Sequence, residues 1–228
     1  MTRDRALRLR REAWAFGIGS LLFMIGAVPF YADAVGPVAG AFTFFVGSLF
    51  FTLGGAIQLA LSGRRVPRNG TNTADVLDWW SAAVQSAGTL FFNVSTAAAL
   101  ITALNPETRV ESGWRPDAFG SIAFLVSGAL AVIATRDRDR LWDVNARTWR
   151  CTWLGMAGSV LFGLSAVGAY VIPSTQTLVS QFWANFGTFT GAACFLAAAF
   201  LSRRAGAPVS VAEGAAPSAG IGESGAAG

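Results

Sequence analysis

The chain has 228 residues, 53% of them apolar and only 13% charged, with a formal net charge of +4. A soluble domain of this size cannot hide that much apolar surface, so the composition points to a polytopic membrane protein. All seventeen basic residues are arginine, histidine is absent, and the two cysteines, Cys151 and Cys194, are far apart; a zinc site, a disulfide framework and a histidine base are thereby excluded.

Residues 1–13 form a basic arm with five arginines. It leads into a first apolar run, Trp14 to Ala32. The arm and run have the outline of a secretory signal, with Ala32-Asp33-Ala34 as a cleavage site and Arg10-Arg11 as a twin-arginine pair. The run is long for a signal, and it carries a motif shared with five later segments, so it reads as a span. A short connector, Asp33 to Pro37, precedes the second run, Val38 to Leu61. The connector 62–78 holds Arg64, Arg65 and Arg68. The third run opens on the helix-start signal Asn72-Thr73-Ala74-Asp75 and continues through Trp79-Trp80 to Leu104. At the helical rise it is about 46 Å long against a ~30 Å hydrocarbon core, so its first turns stand among the headgroups. The fourth run is Ala118 to Thr135, the fifth Trp149 to Val171 and the sixth Leu178 to Leu201. Residues 202–228 are rich in Gly, Ala, Ser and Pro, the composition of a disordered tail.

Six runs place both termini on one side. Fifteen arginines fall in the N-terminal arm, the 62–78 and 136–150 connectors and the start of the tail; two, Arg109 and Arg115, fall in the other connectors. That asymmetry puts both termini in the cytoplasm, with the chain in the cytoplasmic membrane. Trp14, Trp79, Trp80, Trp149 and Trp153 sit near the cytoplasmic entries of the odd-numbered spans, as interface anchors do. The net charge therefore requires no nucleic acid.

The runs share a motif: Gly, then Ser or Thr, Phe four residues after the Gly, and a small residue seven after. Its copies are Gly19-Ser20…Phe23…Gly26, Gly47-Ser48…Phe51…Gly54, Gly88-Thr89…Phe92…Ser95, Gly120-Ser121…Phe124…Ser127 and Gly158-Ser159…Phe162…Ser165. A sixth, degraded copy reads Gly187-Thr188…Gly191…Cys194, without the Phe. On a helix these positions draw one stripe of small, large, small. In lipid, helices associate through close packing of small residues and dispersion, so a Phe between Gly notches is a knob for an antiparallel neighbour. A substrate groove is the alternative reading of the same stripe. The motif spacings group the runs into three antiparallel hairpins, 14–61, 79–135 and 149–201, an all-α fold of six transmembrane helices joined by cytoplasmic connectors 62–78 and 136–148.

The basic entry helix followed by Gly-Ser-x-x-Phe-x-x-Gly, a short turn and a second Gly-Ser-x-x-Phe span resembles the YrhK-like membrane hairpin family. The likeness is greatest over 8–61 and extends to 147–201. It implies an integral membrane protein with no catalytic residues to carry over.

Asp75, Asp78 and Arg150 stand only at the entries of their runs and no Asp, Glu or Arg lies deeper in any of them, which leaves proton relays and ion-pair gates without support. Amides and hydroxyls do occur. Gln85, Thr89, Asn93 and Thr96 fall on one face of the third run; Gln181, Asn185 and Thr188 share a face of the sixth, and Gln58 lies in the second. A buried amide must be paired. These residues form either a polar pathway for a neutral solute between the third and sixth helices, centred on Asn93, or interhelical bonds that fix pairing. The segment Arg136-Asp137-Arg138-Asp139-Arg140 alternates in sign and reads as a solvated linker or a site for anionic lipid. A Ser or Cys nucleophile has no base beside it. The sequence thus predicts a non-enzymatic membrane protein with a structural, partner-binding or lipid-interacting role, without metal or cofactor, its partners being lipids, further copies of itself or another membrane protein. A small transporter or channel for an uncharged solute is the alternative.

Overall fold

The computed structural model describes residues 3–63, 67–68, 70–105, 107, 114–138, 147–172, 174–175 and 177–203. The segment read as a disordered tail lies almost wholly outside them, as do most of the 136–148 connector, most of residues 105–117 between the third and fourth runs, and Arg64 and Arg65. The described residues form six helices: α1 (Arg3–Gly26), α2 (Pro29–Ser62), α3 (Thr73–Leu104), α4 (Trp114–Asp137), α5 (Arg147–Gly168) and α6 (Gln181–Arg203). A two-residue ladder, β1 (Val171–Ile172) with β2 (Thr177–Leu178), closes the turn between α5 and α6. Five helices, α2 to α6, are long and apolar enough to cross a membrane.

The first helix ends earlier than its hydropathy predicts. The apolar run continues to Ala32, but α1 stops at Gly26 and α2 begins at Pro29. Pro29 cannot donate to the carbonyl four residues back, and its ring clashes with that carbonyl, so the helix must end before it. The expected connector is itself partly helical. Gly36, at φ +80°, kinks α2 just before Pro37. Asn72 caps α3 as its sequence predicts, its side chain accepting from the Ala74 N–H at 2.8 Å.

Each helix packs chiefly on its sequence neighbours, and α6 packs back on α1. The six helices thus close a ring. Contacts across each seam run in opposite chain directions. A Cβ placed on Gly54, Gly47 or Gly26 would meet Phe16, Phe23 or Phe44 respectively, so rising numbers on α1 meet falling numbers on α2.

The motif glycines make the close approaches within α1–α2, α3–α4 and α5–α6. In each pair the exchange is reciprocal. A Cβ on Gly19 would lie 3.0 Å from the Phe51 ring, and one on Gly47 would lie 2.8 Å from the Phe23 ring. Gly88 abuts Phe124 while Gly120 abuts Phe92, and Gly158 abuts Phe195 while Gly191 abuts Phe162. This corrects the register expected for α6. Gly191-Ala192…Phe195, rather than Gly187-Thr188, occupies the equivalent place, so the sixth phenylalanine is present. The residue after the motif glycine is buried in every helix: Ser20, Ser48, Thr89, Ser121, Ser159 and Ala192. The position demands small size, and a hydroxyl is optional.

The core of the ring is aromatic. Phe23, Phe51, Phe92, Phe124, Phe162 and Phe195, one from each helix, are all buried in a single cluster with Phe16. Centroids lie 5.3 Å apart for Phe23–Phe51, 5.2 Å for Phe92–Phe124 and 5.4 Å for Phe162–Phe195. Contacts at 5.5–6.5 Å then link the pairs across the axis. Such offset and edge-to-face pairs each contribute about 0.5–1.5 kcal/mol beyond burial.

Candidate functional site

The polar face of α3 divides between two seams. Towards α2, Asn93 Nδ2 donates to Thr52 Oγ1 at 2.9 Å, and the hydroxyls of Thr96 and Ser48 share a hydrogen bond of 2.9 Å. Thr89 turns its hydroxyl back to the Ser86 carbonyl at 2.7 Å and is fully buried. Towards α4, Ser81 and Ser127 exchange hydroxyl-to-carbonyl bonds of 2.9 and 2.8 Å, and Ser127 Oγ lies 3.3 Å from Gln85 Oε1. Asn93 Oδ1 stays buried without a partner.

Gln181 and Asn185 lie elsewhere. They line an open, mostly apolar groove with Val28, Pro29, Phe182 and Phe186, at the far end of the α1–α6 seam. In the ring α6 neighbours α5 and α1, not α3. The structure therefore brings Asn93 and Thr96 together with α2, brings Gln85 together with α4, and does not bring either set to Gln181 and Asn185. On the α5–α6 seam, Thr188 instead shares a 2.6 Å bond with Ser165.

Gln85 faces a cavity of about 220 Å³, lined by all six helices, on the chain-termini side of the phenylalanine cluster. Phe16, Phe124 and Phe195 form its apolar floor, and Glu12, Gln58, Gln85, Ser127, Thr152 and Ser202 supply polar groups to its wall. The helical register explains this lining. Counting from the central phenylalanine, the residue eleven before it on α1, α3 and α5 is Glu12, Ser81 or Cys151. The residue seven after it on α2, α4 and α6 is Gln58, Ala131 or Ser202. All six line the cavity. Eleven and seven residues are three and two helical turns, so each stays on the axis-facing stripe.

Sequence reading by hydropathy assigns Glu12 to the basic arm. The helix, however, runs unbroken through the arm, and Glu12 stands one turn before Phe16 on the same face. That i, i+4 spacing is the signal that identifies it. Burial raises the pKa of the Glu12 carboxyl to about 7. No arginine among the described residues pairs with it. Gln58 Oε1 is likewise buried and has no hydrogen-bond partner.

The same end of the ring is braced. Arg138 forks onto Asp75 and Asp78, each at 2.7 Å, and so ties the start of α3 to the end of α4. Part of the charge-alternating segment thus has a structural anchor. Trp79 Nε1 donates to the Gly63 carbonyl at 3.0 Å, holding the end of α2. Among the described residues, no three His, Cys, Asp or Glu side chains converge as a metal site.

No protein-family model matches this chain, and neither a curated protein nor a solved structure does.

Proposed function

We propose that this is a non-enzymatic integral membrane protein of the YrhK-like type, with six spans arranged as three antiparallel hairpins and both termini in the cytoplasm. It acts by binding, to a small ligand or a membrane partner, rather than by conducting a solute. The six phenylalanines packed at the ring's centre carry this reading, because they fill the axis along which a central pathway would run. The bonds of Asn93 and Thr96 to α2 support it, since those amides and hydroxyls serve packing. The first span is the short one. Its apolar part, Trp14 to Gly26, is about 20 Å long, so the arginines just before it reach to the headgroups by extending their side chains.

A conduit for an uncharged solute is the second reading. The cavity on one side of the rings favours it, as half of such a path; the rings would have to part to complete it. A cysteine scan separates the two. With Cys151 and Cys194 replaced by Ala, single cysteines are placed at Gln85, Thr89, Asn93 and Thr96, with the exposed Leu90 and Val94 as lipid-facing controls. A membrane-impermeant thiol reagent is applied from each side. Labelling at position 85 from the cytoplasmic side, with silence at 89, 93 and 96, is the expected result. Labelling at 93 and 96 overturns the reading in favour of a conduit.

A further inference from the structure

The cavity contains chemistry that helix packing does not require. Gln58 Oε1 is buried in its wall without a hydrogen-bond partner, and the half-buried carboxyl of Glu12, also in the wall, has no hydrogen bond or ion pair among the described residues. The equivalent positions in the other helices are Ser81, Cys151, Ala131 and Ser202, so the ring tolerates small neutral residues there. An acid at one of six cavity-facing places calls for a counterpart.

We propose that this cavity is a binding site for a small organic cation, a primary ammonium or guanidinium group on a short apolar body. Glu12 supplies the counter-charge. Gln58 Oε1 and Gln85 Oε1 supply two further acceptors, which suits the three N–H donors of an ammonium. The rings of Phe16, Phe124 and Phe195 accept the apolar body, and their faces attract a cation. The volume of 220 Å³ equals that of about seven waters, enough for an amine of a few heavy atoms. A hard divalent ion is a poor fit, because it takes six or more oxygen ligands and its two charges would meet a single carboxylate here.

Proton linkage gives the site a signature. Glu12 binds the cation as a carboxylate, and in the empty cavity it holds its proton up to about pH 7. Binding therefore releases a proton near neutrality, and affinity rises with pH. From pH 6 to pH 8 the ionised fraction of a group with pKa 7 rises about tenfold. Cys151 is the other titratable side chain in the lining, and the lining residues from α2 and α6, the helices packed on α1, are uncharged.

The inference rests on the reading of this protein as a binding protein, but not on which way the cavity faces. The test is a titration of the purified full-length protein in detergent with n-butylammonium chloride, followed by calorimetry, with n-butanol and potassium chloride as neutral and inorganic controls. The expected result is saturable binding of n-butylammonium alone, tightening about tenfold from pH 6 to pH 8. Glu12→Gln should weaken binding at least tenfold at pH 8 and flatten the pH profile. Gln58→Leu, which keeps the carboxylate, should weaken it several-fold and keep the profile. Absence of saturable binding to the folded wild type overturns the proposal, as does equal binding of n-butanol or undiminished binding by Glu12→Gln. If Glu12→Gln does not fold, the pH profile of the wild type and the Gln58→Leu affinity decide alone. Detergent removes sidedness, so a failed titration leaves the result of the cysteine scan standing, and a failed scan leaves that of the titration.

Discussion

Alanine substitution at two glycines of the α5–α6 pair should have opposite consequences. At Gly187 a Cβ would fall 2.6 Å from the Leu161 carbonyl oxygen and 2.8 Å from the Ser165 nitrogen. Ordinary contact begins near 3.4 Å, a shortfall of 0.8 Å, and both obstructing atoms belong to the backbone of α5. No side chain can rotate away; the helices must separate. A separation of that size stretches the bond from Ser165 Oγ to the Ala184 carbonyl, now 2.7 Å, beyond good hydrogen-bond range. Overpacking costs about 1–3 kcal/mol and each lost interhelical bond about 0.6 kcal/mol, so Gly187→Ala should destabilise by about 2–4 kcal/mol. Gly155 lies on α5 with nothing within 4 Å of its virtual Cβ. Gly155→Ala should lose nothing and gain up to about 1 kcal/mol from helix propensity. Thermal unfolding in detergent, followed by the fluorescence of the eight tryptophans, measures both. At about 2–4 °C per kcal/mol, Gly187→Ala should melt some 5–15 °C below wild type. Equal melting of Gly187→Ala and wild type, or an equal loss in Gly155→Ala, would refute the assignment of α6's glycines to the helix contact.

Two further substitutions probe the centre of the ring. Phe51 is 1% exposed and packs edge-on against Phe16, Phe23, Phe124, Phe162 and Phe195; Phe51→Ala should cost about 3–5 kcal/mol by the same melting assay, whereas truncation of the exposed Phe42 should leave the transition in place. Ser20 is fully buried and its hydroxyl has no hydrogen-bond partner, and α6 carries Ala192 at the matching place. Ser20→Ala removes an unpaired polar group and should raise stability by about 1 kcal/mol; a loss of that size would mean the hydroxyl has a partner after all.

The membrane class, the apolar runs and the Gly–Phe stripe are legible in the sequence because each rests on a strong local signal: composition, hydropathy, or two residue types at fixed helical spacing. Sequence and structure part where a rule is narrower than its physics. Requiring Ser or Thr after the glycine draws the sixth stripe to Gly187-Thr188, one turn too early, because Ala192 fits the same tight place without a hydroxyl. Hydropathy carries the first run through Pro29, although a proline there ends a helix whatever the surrounding residues. Helical spacing places the polar residues of α3 on one side. Which neighbours that side meets is not legible, since it depends on the order of helices around the ring, and no local spacing encodes that order.

Glu12 shows how the two kinds of information combine. Averaged over a window, it belongs with the arginines of the arm. Placed on the helix that continues from Arg3 to Gly26, it stands four residues before Phe16 and eleven before Phe23, on the stripe that faces the axis. Those two phenylalanines are among the buried residues of α1, so Glu12 is directed inward by the same geometry that buries them. In the three-hairpin reading its counterparts are Ser81 and Cys151, both small residues without a carboxyl. Packing makes the helix pairs α1–α2, α3–α4 and α5–α6 alike through Gly and Phe. The departure from likeness falls at the cavity wall, where a carboxylate stands among residues that packing alone would leave small and neutral, and chemistry specific to this chain is most readily sought at such departures.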